Sequence, residues 1–427
     1  VKIIKDNIEL ERFFKILKKR ATGFTKDVES SVEQIISNVR KTGDVAVKKY
    51  TRIYDRHDFP LRIEEEEIKA HSKKANSDVL KALSISATRI KEFHEKQRED
   101  SWTFTKNGET LGQIIRPLQR VGIYVPGGKA SYPSTVLMNV IPAQVAGVLE
   151  IIICVPSPMG QLDPSVMAAI DLLDVKEVYR IGGAQAIGAM AYGTETIKKV
   201  DKIVGPGNIY VATAKKLVFG EVDIDMIAGP SEITIIADKS ANPAILAADI
   251  LSQAEHDEMA SSILITNSDE IILNVASELK SQIKTLKRKN IAQKSLKRFG
   301  AFIKTNSIKE SIDIANMIAP EHLEIITENP EDDAKYIKNA GAIFLGQWTP
   351  EPLGDYSAGP NHTLPTCGTA RFSSPLGVYD FVKRISLLQF DKKGFLKLAD
   401  TVATLADAEG LEAHANTIRI RKALIKK

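Results

Sequence analysis

The sequence predicts an α/β protein with two similar open, mostly parallel sheets of Rossmann-like kind, helices on both faces, a helical amino-terminal arm and a helical carboxyl-terminal tail. Three observations predict it. Between residues 121 and 231, short β-branched runs end in Gly/Pro turns, and helix-length segments follow. A second block, from 232 to about 346, repeats the alternation. The 427 residues, 43% hydrophobic and 26% charged, are too many for one compact core and ample for two.

The strands expected in the first block are 121–125, 150–155, 177–181, 202–204 and 224–228. Their turns are Pro126-Gly127-Gly128, Pro156-Ser157-Pro158, Gly182-Gly183, Gly205-Pro206-Gly207 and Gly229-Pro230-Ser231. Right-handed crossovers between parallel strands place a ligand crevice at the strands' carboxyl ends, so these turns mark the expected active edge. The second block opens with a strand at 233–237 and a helix capped by Asn242, with Pro243 first, that reaches His256. Strands at 262–266, 301–304, 323–327 and 342–345 then alternate with helices, one starting at a capping box of Ser307 and Glu310. The domains expected are an arm over 1–24, a discontinuous α/β domain of 25–120 and 232–371 with most candidate site residues, a second α/β domain over 121–231 whose turns suit a nucleotide, and a tail over 372–427.

Composition removes several functions. The 58 basic and 54 acidic residues leave a net charge of +4, no reason to expect nucleic acid. No apolar run is long enough to span a membrane, and Lys2, Lys5, Asp6, Glu9 and Glu11 stand where a signal peptide would be apolar, so a cytoplasmic protein is expected. Two cysteines, Cys154 and Cys367, exclude a disulfide framework and a cysteine-ligated cluster, and Cys154 belongs in the core. A metal would need mainly His, carboxylate or amide ligands.

Several residues are candidates for chemistry. Gln253 and His256 share one helix face and suit either a divalent ion or a plain surface pair. Glu321 and His322, between Pro320 and an apolar strand, form either a positioned acid/base pair or merely a strand start. Asp355 is expected on an irregular loop, aiming a carboxylate into a crevice or capping a turn. His414 is expected on the terminal helix with Glu409 five residues before it, about 140° around, too far for both to chelate one ion. Ser231 lacks a G-x-S-x-G elbow and suits hydrogen bonding rather than attack. His57, His71 and His94 sit among charged residues and are expected to be solvated, while no role emerges for His362. G-x-G-x-x-G is absent, so NAD stands as one candidate among nucleotides and phosphosugars.

The motifs Val121-Gly122-Ile123-Tyr124-Val125-Pro126-Gly127-Gly128, Gly182-Gly183-Ala184-Gln185-Ala186-Ile187, Val204-Gly205-Pro206-Gly207-Asn208, Ala228-Gly229-Pro230-Ser231-Glu232, Leu251-Ser252-Gln253-Ala254-Glu255-His256, Pro320-Glu321-His322-Leu323 and Gly354-Asp355-Tyr356 together resemble the histidinol dehydrogenase family, from about residue 25 to the end. The resemblance implies oxidation of L-histidinol to L-histidine through the aldehyde with two NAD+, at the end of histidine biosynthesis. It implies one Zn2+ per subunit on Gln253, His256, Asp355 and His414, with His414 supplied across a homodimer by the tail. It also implies His322 as base, Glu321 activating water, Ser231 and Glu409 contacting substrate beside the metal-holding residues and His322, and Tyr124, Gln185 and Asn208 contacting NAD+. The rival readings are a zinc-dependent hydrolase, which needs no NAD+, and a non-catalytic nucleotide-binding protein.

Overall fold

The computed structural model describes residues 1–21, 25–127 and 131–425; Gly128 of the first expected turn, the 24/25 boundary and the last two tail residues lie outside them. The chain forms two compact units, one of 1–97 with 119–380 and the other of 98–118 with 381–427.

The first unit carries both expected sheets. In one, the strand order is Arg62–Ile63, Glu177–Tyr179, Glu150–Cys154, Arg120–Tyr124, Lys202–Val204, Asp223–Ile224, parallel except for the antiparallel first strand. In the other, Lys2–Ile4, Ala301–Lys304, Ser261–Thr266, Glu232–Ala237, His322–Ile326 and Ala342–Leu345 are all parallel. Its central strands are buried along their whole length because helices cover both faces. Alternation divides them: Ile233 and Ile235 face the helix Pro243–Ala254, whose cap Asn242 accepts from the amide of Ala244, while Ile236 packs with Leu10, Phe13 and Ile312 on the other side.

Four features differ from expectation. The arm is not purely helical, since Lys2–Ile4 adds an edge strand before the helix Asn7–Ala21. Of the segment 25–120, residues 98–118 fall in the other unit, and the helices Lys26–Thr42 and Asp44–Tyr54 pack Val32, Ile36 and Val47 among Tyr124, Ile152 and Ile187 of the first sheet's core. An apolar stripe shows that a helix is covered, not by which sheet. The strand expected at 224–228 shrinks to Asp223–Ile224, because Asp225 accepts from the amides of Met226 and Gly205 and turns the chain. The capping box slips by one residue, with Ser307 accepting from Glu310 N at 3.2 Å while the Glu310 carboxylate takes Asn306 N at 2.7 Å.

The second unit is an antiparallel sheet of Trp102–Lys106, Glu109–Pro117 and Val382–Phe390, with the helices Lys392–Ala408 and Glu412–Ile425 packed on each other. The tail expected to be helical therefore begins with a strand whose partner lies far upstream in sequence. Gly410, at φ 71°, breaks the terminal helix into two, so Glu409 and His414 stand on different helices. Among the described residues, no helix is long and apolar enough to cross a membrane.

Ile235 is fully buried in the middle of the second sheet. Truncation by Ile235→Ala is expected to cost about 2–5 kcal/mol, visible as a lower urea midpoint; an unchanged midpoint would mean that this strand is not central to the core.

Candidate active site

The first sheet reverses its strand order beside Arg120–Tyr124, whose neighbours are Glu150–Cys154 and Lys202–Val204. Such a switch point opens a crevice at the carboxyl edge, and the three residues expected to meet a nucleotide come from segments at that edge. Tyr124 ends its strand, and its buried hydroxyl accepts from Gly183 N at 3.1 Å; burial pushes this phenol above its ordinary range, so it stays protonated. Gln185, 1% exposed on the helix Gly183–Tyr192, has neither amide atom hydrogen-bonded. Asn208 caps the helix Ile209–Val218, its Oδ1 accepting from Tyr210 N at 3.0 Å and Val211 N at 3.2 Å, and its exposed amide NH2 can donate outward.

The loop before Asn208 is held by residues that sequence reasoning missed. Gly205, at φ 109°, donates its N–H to Asp225 Oδ2 at 2.8 Å and accepts at its carbonyl from Lys215 Nζ at 3.0 Å. Lys215 and Asp225 form a buried ion pair. The one available signal was a lysine on the inward face of an apolar helix.

In the second sheet the candidates gather at the amino edge, where Glu321 and His322 are expected to precede their strand. Glu232 and His322 are the first residues of neighbouring parallel strands, reached by the loop that carries Gly229-Pro230-Ser231 over from the other sheet's last strand. His322 Nδ1 donates to the Glu232 carbonyl at 3.0 Å, which leaves Nε2 as the basic nitrogen of the neutral ring. That Nε2 lies 3.5 Å from Asp355 Oδ1 and 3.9 Å from Glu351 Oε1. Glu321 Oε2 accepts from the Glu232 N–H at 2.9 Å and lies 3.8 Å from His322 Nδ1. One peptide unit pair, on either side of the Glu232 α-carbon, therefore holds both members of the expected acid/base pair.

The electrostatics follow from burial and crowding. Burial pushes the Glu321 carboxyl up to about 8, with His322 opposing and Glu232 adding to the rise. Burial works against a charged His322, yet the carboxylates of Glu321, Asp355 and Glu351 outweigh it and hold the imidazole well above its ordinary value. Asp355 responds in the opposite sense: despite burial, His322 beside it holds the carboxyl below the usual range. Burial lifts Glu351 to about 7.

Asp355 lies on a short helix, Glu351–Tyr356, in place of the irregular loop expected. The buried carboxylate of Glu324 takes the first helical amide, Glu351 N, at 2.8 Å, a cap supplied by a distant strand and invisible in local sequence. Gln253 is fully buried with both amide atoms unbonded, and His256 follows it, donating its backbone N–H to the Gln253 carbonyl at 3.2 Å. His256 is exposed and close enough to Asp355 and His322 to interact with their charges. Donor atoms of His322, Glu351 and Asp355 fall within 4.8 Å of one another. Ser231 directly precedes Glu232, while Glu409 and His414 are exposed on the second unit's helices.

The remaining histidines divide by burial. His362 donates from Nδ1 to the Asp355 carbonyl at 2.9 Å and has Nε2 3.4 Å from Thr135 Oγ1, so it ties the Asp355 helix to the helix Pro133–Ala146. His57 and His94, expected to be solvated, are buried: His57 Nε2 lies 3.1 Å from Ser157 Oγ and His94 Nδ1 lies 2.8 Å from Gln97 Oε1. Charged neighbours in sequence hid the inward face of each segment.

A histidine–glutamate pair anchored on one backbone residue of an α/β sheet is a constellation suited to acid/base chemistry. The family model for histidinol dehydrogenase matches residues 18–422. A histidinol dehydrogenase of Clostridium acetobutylicum is 52% identical over 426 residues, covering 99% of each chain, and one of Caldanaerobacter subterraneus is 54% identical, covering 96% of each. The crystal structure of histidinol dehydrogenase from Elizabethkingia anophelis superposes with a TM-score of 0.95 at 37% identity, over 100% of this chain and 99% of that one. The chain belongs to the histidinol dehydrogenase family, and its architecture is the two-sheet one that the sequence predicts.

Lys215→Met leaves Asp225 as a buried unpaired charge beside Gly205. A loss of about 3–5 kcal/mol is expected, read by chemical denaturation; a loss below about 1 kcal/mol would show that the pair does not secure this loop.

Proposed function

We propose that this chain oxidises L-histidinol to L-histidine through the aldehyde, with His322 as the base of both oxidations and Glu321 as the group that activates water between them. The activity is the family's, and NAD+ is the cofactor that a member of this family uses. The observation that supports the assignment of roles is the shared anchorage of Glu321 and His322 on Glu232. A hydrolase would need neither Tyr124, Gln185 and Asn208 at the other crevice nor a second base.

The metal reading is tested by donor chemistry. Gln253, with a buried amide that makes no hydrogen bond, His256 and the ionised Asp355 offer the oxygen and nitrogen donors that a borderline divalent ion accepts. These residues fit Zn2+, and His414 would complete the set from the partner subunit of a homodimer. When bound, Zn2+ would orient the substrate through its imidazole and amino nitrogens, with no redox chemistry of its own.

In the alcohol step, His322 Nε2 takes the hydroxyl proton as the carbon loses a hydride, and the aldehyde remains. Glu321, deprotonated, then draws a proton from water as the water oxygen bonds to the aldehyde carbon. The imidazolium of His322 returns its proton to the carbonyl oxygen, giving the neutral hydrate. The hydrate then gives one hydroxyl proton back to His322 as the second hydride departs, and the acid so formed loses its remaining proton to solvent as the carboxylate. NAD+ supplies the hydride acceptor for each oxidation. Ser231 and Glu409 are assigned to hold the substrate, a role that the place of Ser231 beside Glu232 supports.

NADH formation from histidinol and NAD+ tests the function directly; its absence in the folded protein would reject it. His322→Gln is expected to lower kcat by about 10²–10⁴-fold with the metal content unchanged, and parental turnover would remove His322 as base. Glu321 works deprotonated with its carboxyl lifted to about 8, and His322, held well above its ordinary value by the carboxylates around it, must be neutral to accept a proton, so aldehyde oxidation should climb as pH rises through about 8. Glu321→Gln should alter that limb, and an identical limb would show that Glu321 takes no part in it. Metal content of His414→Ala and His256→Ala homodimers should fall, and mixed heterodimers should regain about half of the sites; no recovery would place His414 in its own subunit's chemistry or outside the site.

A further inference from the structure

The last turn of the helix Asn7–Ala21 sends Arg20 into the interior, where it is 4% exposed. Its Nη1 donates to the carbonyls of Met259 at 2.8 Å, Ser231 at 3.3 Å and Pro230 at 3.5 Å, and its Nη2 pairs with the carboxylate of Glu232. Glu232 Oε1 also accepts from Cys367 N at 2.9 Å, and Gly229 N donates to Thr366 Oγ1 at 2.6 Å. A guanidinium suits this place because its planar fork can serve several acceptors at once, which a lysine ammonium cannot do from one point.

We propose that Arg20 is a positioning residue for the Glu321–His322 pair, acting through Glu232. The inference rests on the roles given above to that pair. Arg20 touches neither member. It grips the Glu232 side chain and the two carbonyls before it, while the Glu232 N–H and C=O hold Glu321 and His322. A rotation of this backbone segment would therefore displace the base and the water-activating carboxylate together. The cation has a second effect: it balances Glu232, a buried carboxylate whose charge otherwise disfavours ionisation of Glu321.

The test uses the full-length enzyme carrying Arg20→Gln, Glu232→Gln, both together, and Arg20→Lys, with kcat, KM and pH profiles for histidinol and for histidinaldehyde. Arg20→Gln should lower kcat for aldehyde oxidation by at least about tenfold, since small misplacements at a reacting centre are costly, and should move its rising limb to higher pH. Glu232→Gln placed on top of Arg20→Gln should return the limb, because the unbalanced carboxylate is gone, and lower kcat little further, because both changes cut the same linkage. Effects that simply multiply, or an unmoved limb in Arg20→Gln, would overturn the proposal. Should Arg20→Gln not fold, Arg20→Lys decides: a similar fall in kcat with the limb in place supports the role of the fork, and parental kcat overturns it. Parental aldehyde oxidation by Glu321→Gln would instead overturn the water-activating role itself, which separates the two failures.

Discussion

The amino edge of the second sheet is organised by the cost of burying negative charge. Glu232, Glu321, Glu324 and Glu351 are each below a tenth exposed, and a carboxylate taken from water without compensation is among the most expensive groups a fold can hold. Each finds a different answer. Glu232 has Arg20, Glu321 has the Glu232 N–H, Glu324 has the amide of Glu351, and Glu351 accepts from Ser252 Oγ at 3.2 Å. Burial lifts Asp249 to about 6, and burial together with the Asp249 charge raises Glu324 well above its ordinary value, so a proton held by the pair spares the interior a second charge. The surplus of carboxylates then falls on His322, whose imidazolium is favoured by all of them that come near it.

The two sheets place their candidate residues at opposite edges. At the carboxyl edge of the first sheet, loop amides and helix caps such as Asn208 present hydrogen-bond donors, which suits a phosphorylated ligand. At the amino edge of the second, side chains supply proton acceptors, and backbone is used to hold them. The segment between the strands Asp223–Ile224 and Glu232–Ala237 spans only residues 225–231, yet it contains Asp225, which secures the Gly205 loop, and Ser231, and it leads directly into Glu232, which holds Glu321 and His322. One short connection thus ties the Gly205 loop to the backbone that holds Glu321 and His322.

The alternating runs made both sheets legible, because a strand buried on two faces must be continuously apolar, and Gly/Pro turns must close it. The antiparallel sheet of the second unit was not legible: Val382–Phe390 pairs with Glu109–Pro117, and nothing local in an amphipathic strand states its partner. The candidate residues Gln253, His256, Glu321, His322 and Asp355 were visible as polar groups in motif-rich turns, and four of them, Asp355, His256, His322 and Glu321, interact electrostatically in the fold. Arg20, Glu232 and Glu351 were not, since a lone charged residue in an amphipathic helix or at a strand start looks solvated until tertiary packing buries it. The capping of the Asp355 helix by Glu324 is a long-range contact of the same kind.

Two consecutive residues can share one task only if the backbone lets them. In a strand, neighbours point to opposite faces, and Glu321 and His322 nonetheless reach the same neighbouring residue because the strand begins at His322 and not before it. Upstream, Ala319 ends the helix Ile308–Ile318 in the left-handed region at φ 52°, donating its N–H to the Ala315 carbonyl at 2.9 Å, and Pro320 follows. Glycine is the usual occupant of such a position, and a residue with a Cβ costs roughly 1–2 kcal/mol there. Ala319 is fully buried, so its methyl group contributes packing that glycine would lack. The chain reverses within two residues, and it is this reversal that lets the Glu321 carboxylate meet the Glu232 N–H while the His322 ring meets the carbonyl of the same residue.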